Sequence, residues 1–470
     1  MFREILSIKD LNVNYIAGNE DFKILKNVDF TLFKNEILGI VGESGSGKTT
    51  LSKCLMGVLD REETRISFNQ YVIGSVEIDS SFENIKKLRG CFINMVMQNP
   101  VLSLNPTMTI EDHFRIVLKD VSGIKIRGEQ NYLINNILKD VTIEDCSDIL
   151  KKYPMELSVG MNQRINIALS IINNPKILIL DEPTSSVDEN NRQKILDTVG
   201  ILARKNFTSV VLITHDLLSA IKFCNRIIVM KDGRIVDSFH SNQNKFVHSY
   251  TRKLYKNSLL KRNIIKNTGG DVLIEMDNVC KSFANVKVLD NFSMRLMKGE
   301  TLGIIGPSGS GKTTISKLIL GFYKPSSGVI RIKKFLKIEI IFQNANSSLN
   351  HNQKIFKILN EENYINNKKK YSDDLLFSLL KDFNLPKNIL EKYVAELSEG
   401  QKQIISIIRG LLNNPDVIIF DEPTSSLDTI SQKKILDLLI KVKNKYNLTY
   451  IFISHNQRVI RYMCDRNIFI

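Results

Sequence analysis

The sequence predicts two consecutive α/β domains, each built on a mostly parallel sheet. Three observations carry this prediction. The acidic turn "DEPTSSVDENN" from Asp181 recurs as "DEPTSSLDTIS" from Asp421. The stretch "GESGSGKTT" from Gly42 recurs as "GPSGSGKTT" from Gly306, each time between an apolar β-rich run and a helical pattern. Finally, "KILILDE" and "DVIIFDE" are short continuous apolar runs ending in an acidic pair, as expected of strands buried on both faces of a parallel sheet.

The bulk numbers fit such a chain. Its 470 residues suit two or three domains, and 43% apolar with 24% charged residues reads as an ordinary folded protein. A net charge of +15 admits nucleic acid, anionic lipid or nucleotide phosphates as partners, but the basic residues are mostly dispersed over the surface. One stretch, Lys245 to Asn267, carries Lys and Arg without Asp or Glu and reads as a solvated linker. The six cysteines are far apart, without C-x-x-C or zinc spacing, which argues against a disulfide framework or metal cluster and for a reducing compartment. The first residues mix acids with apolar side chains, unlike a signal peptide, and no apolar run reaches the roughly 18–20 residues needed to span a bilayer.

Further landmarks recur in the same order. "ELSVGMNQR" begins at Glu156 and "ELSEGQKQI" at Glu396; Gln98 is matched by Gln343, and His215 by His455. From Glu156 onward the spacing is constant, as packed elements require. The interval from Lys48 to Gln98 is longer than that from Lys312 to Gln343, so an insertion separates the copies there. The Gly269-Gly270 pair marks the break, giving a first domain over 1–244, a basic tail over 245–270 and a second domain over 271–470. The first copy continues past His215 with a helix, a strand, an Asp-Gly turn and a strand; the second is expected to lack that final hairpin.

The recurring residues have a shared chemistry. Glycines at 42, 45 and 47 let successive backbone N–H groups face phosphate oxygens, and a helix starting at Lys48 adds the positive end of its dipole. Lys48 suits the β- and γ-phosphates and Thr49 suits Mg²⁺; Lys312 and Thr313 repeat those roles. Asp181 and Asp421 suit the Mg²⁺ shell, and Glu182 and Glu422 suit orientation of an attacking water.

In this order, the Gly-rich loop, the glutamine, the LS-x-G-[QM] signature, the ILILDEPTSS-x-D stretch and the downstream histidine resemble the ATP-binding-cassette (ABC) ATPases. The resemblance spans nearly the whole chain. It implies two tandem P-loop NTPase domains, each with a mostly parallel core sheet, an antiparallel β subdomain and a helical subdomain over roughly Leu104–Tyr153 and Ser348–Tyr393. It implies ATP and Mg²⁺ as cofactors and an intramolecular sandwich in which each ATP lies between the loop of one copy and the signature of the other. By position, the first loop offers Gly42, Glu43, Ser44, Gly45, Ser46, Gly47, Lys48, Thr49 and Thr50, facing Ser398 and Gly400. The second offers Gly306, Pro307, Ser308, Gly309, Ser310, Gly311, Lys312, Thr313 and Thr314, facing Ser158 and Gly160. Gln98 and Gln343 join the metal set, and His215 and His455 contact the γ-phosphate. Asp188 and Asp428 would link the two sites. Tyr15 and Phe283 stand where the family stacks an aromatic on adenine, or are core aromatics. Val159 and Glu399 replace the first glycine of the family's LSGGQ.

The segment "QNPVLSLNPTMTI" and the tail "FVHSYTRKLYKN" resemble the ATPases of oligopeptide, dipeptide, nickel and glutathione importers, with Ser249 in place of a usual proline. Copy two lacks both Asn-Pro steps, and the tail has no cysteines for an iron–sulfur centre. This resemblance implies peripheral attachment at the cytoplasmic face of the membrane, to two transmembrane permease subunits and indirectly to an extracytoplasmic solute-binding protein, with no nucleic acid. The alternative is a soluble tandem cassette ATPase acting on ribosomes.

Overall fold

The computed structural model describes residues 3–470 apart from 18–19, 185–188, 244–245, 261–269, 285, 308, 344, 367 and 426. Asp188 and Ser308 therefore lie outside the described residues. The chain divides into unit 1, Met1–Ser258, and unit 2, Leu259–Ile470.

In unit 1 the long strands Glu4–Ala17 and Glu20–Phe33 form an antiparallel ribbon, extended by Thr64–Ser67, Gln70–Ile73 and Val76–Glu77. Along the second strand Val28, Phe30 and Leu32 turn inward while Asp29 stays exposed, the two-residue period of a half-buried sheet. Next to it lies a sheet whose described strands run in the order Arg234–His240, Arg226–Lys231, Ile37–Val41, Ser209–Thr214, Ile177–Asp181 and Ile93–Val96. Its neighbours are parallel except for the edge hairpin. Every residue of Ile37–Val41, Ile177–Asp181 and Ser209–Thr214 is buried, which explains their unbroken apolar runs.

Unit 2 repeats the plan more compactly. Its core order is Ile338–Ile341, Val417–Asp421, Thr449–Ile453, Thr301–Ile305 and Arg466–Phe469, all parallel. Helical segments fill the expected inserts: Ile110–Ile116, Arg127–Asp140 and Cys146–Lys151 in unit 1, and Ile355–Leu359, Glu361–Ile365 and Asp373–Asp382 in unit 2. Each lobe leads into a signature helix, Val159–Ile171 or Glu399–Leu411.

The unequal interval before the glutamine has a structural cause. Unit 1 inserts the hairpin Gln70–Ile73 and Val76–Glu77 and the helix Glu83–Leu88, whereas in unit 2 a turn joins Ser327–Ile332 to Ile338–Ile341. Two expectations need correction. The second copy keeps the first strand of the final hairpin: Arg466–Phe469 pairs with Thr301–Ile305 in the register in which Arg226–Lys231 pairs with Ile37–Val41. Of that hairpin, the return strand Arg234–His240 has no counterpart among the described residues of unit 2. The basic tail is also not simply a solvated linker, because Ser249–Ser258 is a helix with Tyr250, Thr251, Leu254 and Ser258 buried. Its basic residues lie on the other face, so the charge run concealed an amphipathic helix.

An ion pair joins the base of both layers in each unit, enclosed in unit 1 and half-exposed on its arginine side in unit 2. Arg226 reaches Glu36 at 2.8 Å and also donates to the Thr31 carbonyl. In unit 2 Arg466 reaches Glu300 at 3.0 Å and donates to the Arg295 carbonyl. Glu36→Ala leaves an enclosed guanidinium unpaired, so denaturant unfolding should show unit 1 destabilised by about 3 kcal/mol. Glu300→Ala should cost less, because Arg466 is half-exposed and keeps water. Equal losses would contradict this account.

Candidate functional site

The carboxyl ends of the parallel strands place the repeated residues together, because all those strands point the same way. In unit 1 the strand Ile37–Val41 ends at Gly42 and the loop turns into the helix Lys48–Met56. Gly47 caps that helix with φ 97°, where a side chain would be strained and a Cβ would lie 2.7 Å from Leu25. Gly42 is held by crowding instead: a Cβ there would come within 2.4 Å of the Met230 carbonyl. Ser44, Gly45 and Thr49 are exposed, Thr50 is half-buried, and Ser46 and Lys48 are buried.

The Lys48 ammonium donates to the carbonyls of Gly42 at 2.9 Å and Glu43 at 2.8 Å. Unit 2 repeats this cage, with Lys312 on the carbonyls of Gly306 at 2.9 Å and Pro307 at 2.6 Å. Gly309 and Gly311 repeat the positive φ values, at 84° and 95°. Ser310 and Thr314 are half-buried and Thr313 is exposed.

Asp181 accepts a hydrogen bond from Ser52 at 2.9 Å, and Asp421 accepts one from Thr313 at the same distance. Burial pushes both carboxyls above the usual range. Asp181 Oδ1 is buried without a hydrogen-bond partner. An orphaned carboxylate oxygen beside threonine and serine hydroxyls is an all-oxygen donor set, which fits a hard divalent cation such as Mg²⁺.

The next residue adopts left-handed backbone geometry in both copies, Glu182 at φ 47° and Glu422 at φ 49°. That is a strained conformation for glutamate. It turns the side chain back toward the histidine. His215 Nδ1 lies 3.3 Å from Glu182, and His455 Nδ1 lies 2.8 Å from Glu422. An ionised carboxylate only accepts, so Nδ1 carries the proton of this contact. Burial raises the Glu182 pKa, but the His215 hydrogen bond and the nearby His215, Lys48 and Arg192 charges outweigh it and hold the carboxyl below its ordinary range.

The two sites differ in detail. Gln98 donates to Glu182 at 3.2 Å, whereas Gln343 donates to Ser425 at 3.4 Å and Lys312 approaches Glu422 to 4.0 Å. Both glutamines, expected in the metal set, thus place their amides on the acidic turn in this state. The signature residues lie on their own helices. Ser158 caps Val159–Ile171 by accepting from Met161 N–H, and Ser398 caps Glu399–Leu411 in a reciprocal box with Gln401. Met161 cannot close that box in unit 1. Gly160 and Gly400 follow in the first turns.

Tyr15 sits in the ribbon opposite Phe22, and Phe283 packs edge-on against Tyr323 at 5.1 Å with Lys281 above both rings. Asp428 is buried as the N-cap of the helix Thr429–Tyr446. Sequence reasoning missed the glutamate backbone strain and the Glu–His contacts; the paired spacing of the acidic turn and the histidine was the available signal.

In each unit this is the fold of a P-loop ATPase. The family model described as ABC transporter matches residues 25–185 and 289–425, and the chain belongs to that family. The chain is 31% identical to the peptidoglycan transport ATP-binding protein YejF of Agrobacterium fabrum, over 98% of this chain and 90% of that protein. It is 29% identical to the uncharacterized ABC transporter ATP-binding protein YejF of Escherichia coli, over 99% and 94%. It is 27% identical to the glutathione import ATP-binding protein GsiA of Shigella dysenteriae, over 98% and 84%. An archaeal ribosome recycling factor, solved with a ribosomal stalk protein, matches 97% of the chain with a TM-score of 0.67 at 20% identity, a likeness of fold.

The raised pKa of Asp181 has a testable sign. An acid whose folded-state pKa is raised contributes stability below its unfolded value and loses it as pH climbs, so near neutrality the buried charge is a cost. Asp181→Asn should therefore raise the melting temperature of the nucleotide-free chain at neutral pH, with the gain vanishing near pH about 4. A lower melting temperature at neutral pH would contradict this.

Proposed function

We propose that the chain is the ATP-hydrolysing subunit of a membrane importer, coupling turnover at two nucleotide sites to movement of permease helices. The observation that supports it best is the duplication of the whole catalytic set at matching strand ends. Loop N–H groups with Lys48 or Lys312 bind the phosphates, and the glutamates orient water. The eleven loop and signature positions of each composite site would have the roles given by the family resemblance, with Ser158, Gly160, Ser398 and Gly400 completing the partner loop's site in a sandwich of the two units. Thr49 with Asp181, and Thr313 with Asp421, would hold Mg²⁺, which neutralises phosphate charge when bound.

Phosphoryl transfer asks the protein mainly for positioning and charge stabilisation. Glu182 is suited to it: His215 on one oxygen and Gln98 on the other fix the carboxylate, and its lowered pKa keeps it ionised, so that it can orient a water by accepting its hydrogen bond. Because Gln98 belongs to the segment that follows the strand Ile93–Val96, a shift of that segment also shifts the glutamate.

That segment is suited to receive a permease. Asn99 caps its own turn by accepting from the Val101 and Leu102 N–H groups, and Asn166 of the signature helix donates to the Pro100 carbonyl at 2.7 Å. The Asn105 N–H donates to His113 at 2.9 Å. Two proline steps thus keep the segment out of helix, while in unit 2 Ala345–Ser348 winds into a short one. Beside the braced loop is a cleft of about 460 Å³ lined by Met95, Met97, Leu104, Met108 and His113. Methionine-rich apolar clefts of this kind adapt to an incoming helix. Among the described residues no helix is long and apolar enough to cross a membrane, so attachment would be peripheral, through such clefts. Relatives named for peptidoglycan transport and glutathione import support a small peptide-like cargo.

Together, Glu182→Gln and Glu422→Gln should lower steady-state ATP turnover by about 10²-fold or more while ATP stays bound. Unchanged turnover would remove the glutamate assignment. Cysteine cross-linking to the permease should be stronger from Leu102, which is 82% exposed, than from Ser347. Equal yields would remove the asymmetry, and none from either position would favour a ribosome-acting ATPase.

A further inference from the structure

The tail helix Ser249–Ser258 reaches the phosphate loop of unit 1. The Glu43 N–H donates to the Tyr250 hydroxyl at 3.3 Å. That N–H belongs to the same peptide group as the Gly42 carbonyl, which accepts from Lys48 at 2.9 Å. One peptide plane is therefore gripped on both edges, by the tail tyrosine on one side and by the lysine on the other. Glu43 is fixed further along as well, since its carbonyl accepts from Lys48 at 2.8 Å and from the Ser46 N–H at 3.2 Å.

The tyrosine is itself firmly placed. It is 7% exposed, with Lys231 over its ring at 5.3 Å and its own N–H donating to His248 at 3.1 Å. The His248 N–H donates to Asp237 at 3.0 Å, tying the start of the tail to the edge strand. Phe246 bridges Phe239 and Tyr255, at 5.1 and 4.8 Å, and holds the helix flat. Unit 2 solves the same problem covalently: Pro307 replaces Glu43, has no N–H to satisfy, and still offers its carbonyl to Lys312 at 2.6 Å.

We infer that Tyr250 is a positioning residue for the unit 1 phosphate loop, setting the peptide that orients Lys48, and that the tail leading into unit 2 thereby tunes ATP affinity in unit 1 alone. This rests on the reading that the loop binds ATP. The test uses the full chain carrying Lys312→Ala, so that fluorescent Mg-ATP titration reads unit 1. Tyr250→Phe keeps the ring and its packing and removes only the hydroxyl. It should weaken binding about five-fold, the worth of one neutral hydrogen bond, with the melting temperature unchanged. In a Glu43→Pro background, which copies unit 2, the same substitution should change nothing. An unchanged affinity for Tyr250→Phe overturns the inference, and so does an equal loss in both backgrounds, which would place the hydroxyl's effect elsewhere. If the chain with Tyr250 intact binds no ATP, the inference falls together with the proposed function.

Discussion

A lysine ammonium buried at the end of a parallel strand is the constraint from which each unit follows. Lys48 and Lys312 are almost wholly enclosed and lie on carbonyl oxygens of their own loops. Burying a charge is costly unless dipoles or opposite charges meet it. Two carbonyls can converge on the ammonium only if the loop turns tightly, which requires glycines at φ 97° and 95° just before the helices. A glycine-rich turn of this kind, opening a helix N-terminus, is suited to anions. The acids that complete the site arrive at the same edge because the strands carrying them run parallel to the strand before the loop.

Duplication lets each copy serve as a control for the other. The lysine cage, the left-handed glutamate, the histidine contact and the basal Glu–Arg pair are repeated. What differs are the attachments around them: a tyrosine or a proline behind the loop, a glutamine on the glutamate or on a serine, and a closed or open capping box at the signature. These differences involve single hydrogen bonds, each worth about 1 kcal/mol, enough to make two sites unequal without disabling either.

Much of this was legible in the sequence. Unbroken apolar runs gave the buried strands, and the Gly-rich loops in strand–turn–helix context gave the phosphate-facing turns. The proline steps at Pro100 and Pro106 correctly indicated a segment that resists helix. Less was legible where structure depends on distant partners. The pairing of Glu36 with Arg226 joins residues far apart in sequence, and no local pattern announces it. The tail was misread because its basic residues dominate composition, while the few buried positions that dock it follow helical spacing. The second copy's last strand was overlooked since, without a return strand, "RNIFI" carries no hairpin signature.

The central claim is that each unit supplies the loop, lysine and acids of one of two nucleotide sites. Equilibrium Mg-ATP binding to the chain carrying Glu182→Gln and Glu422→Gln tests it most directly. The account predicts two nucleotides per chain, falling to one when either Lys48 or Lys312 is also replaced by alanine. A single nucleotide before any lysine is replaced, or two retained after both are, would contradict it.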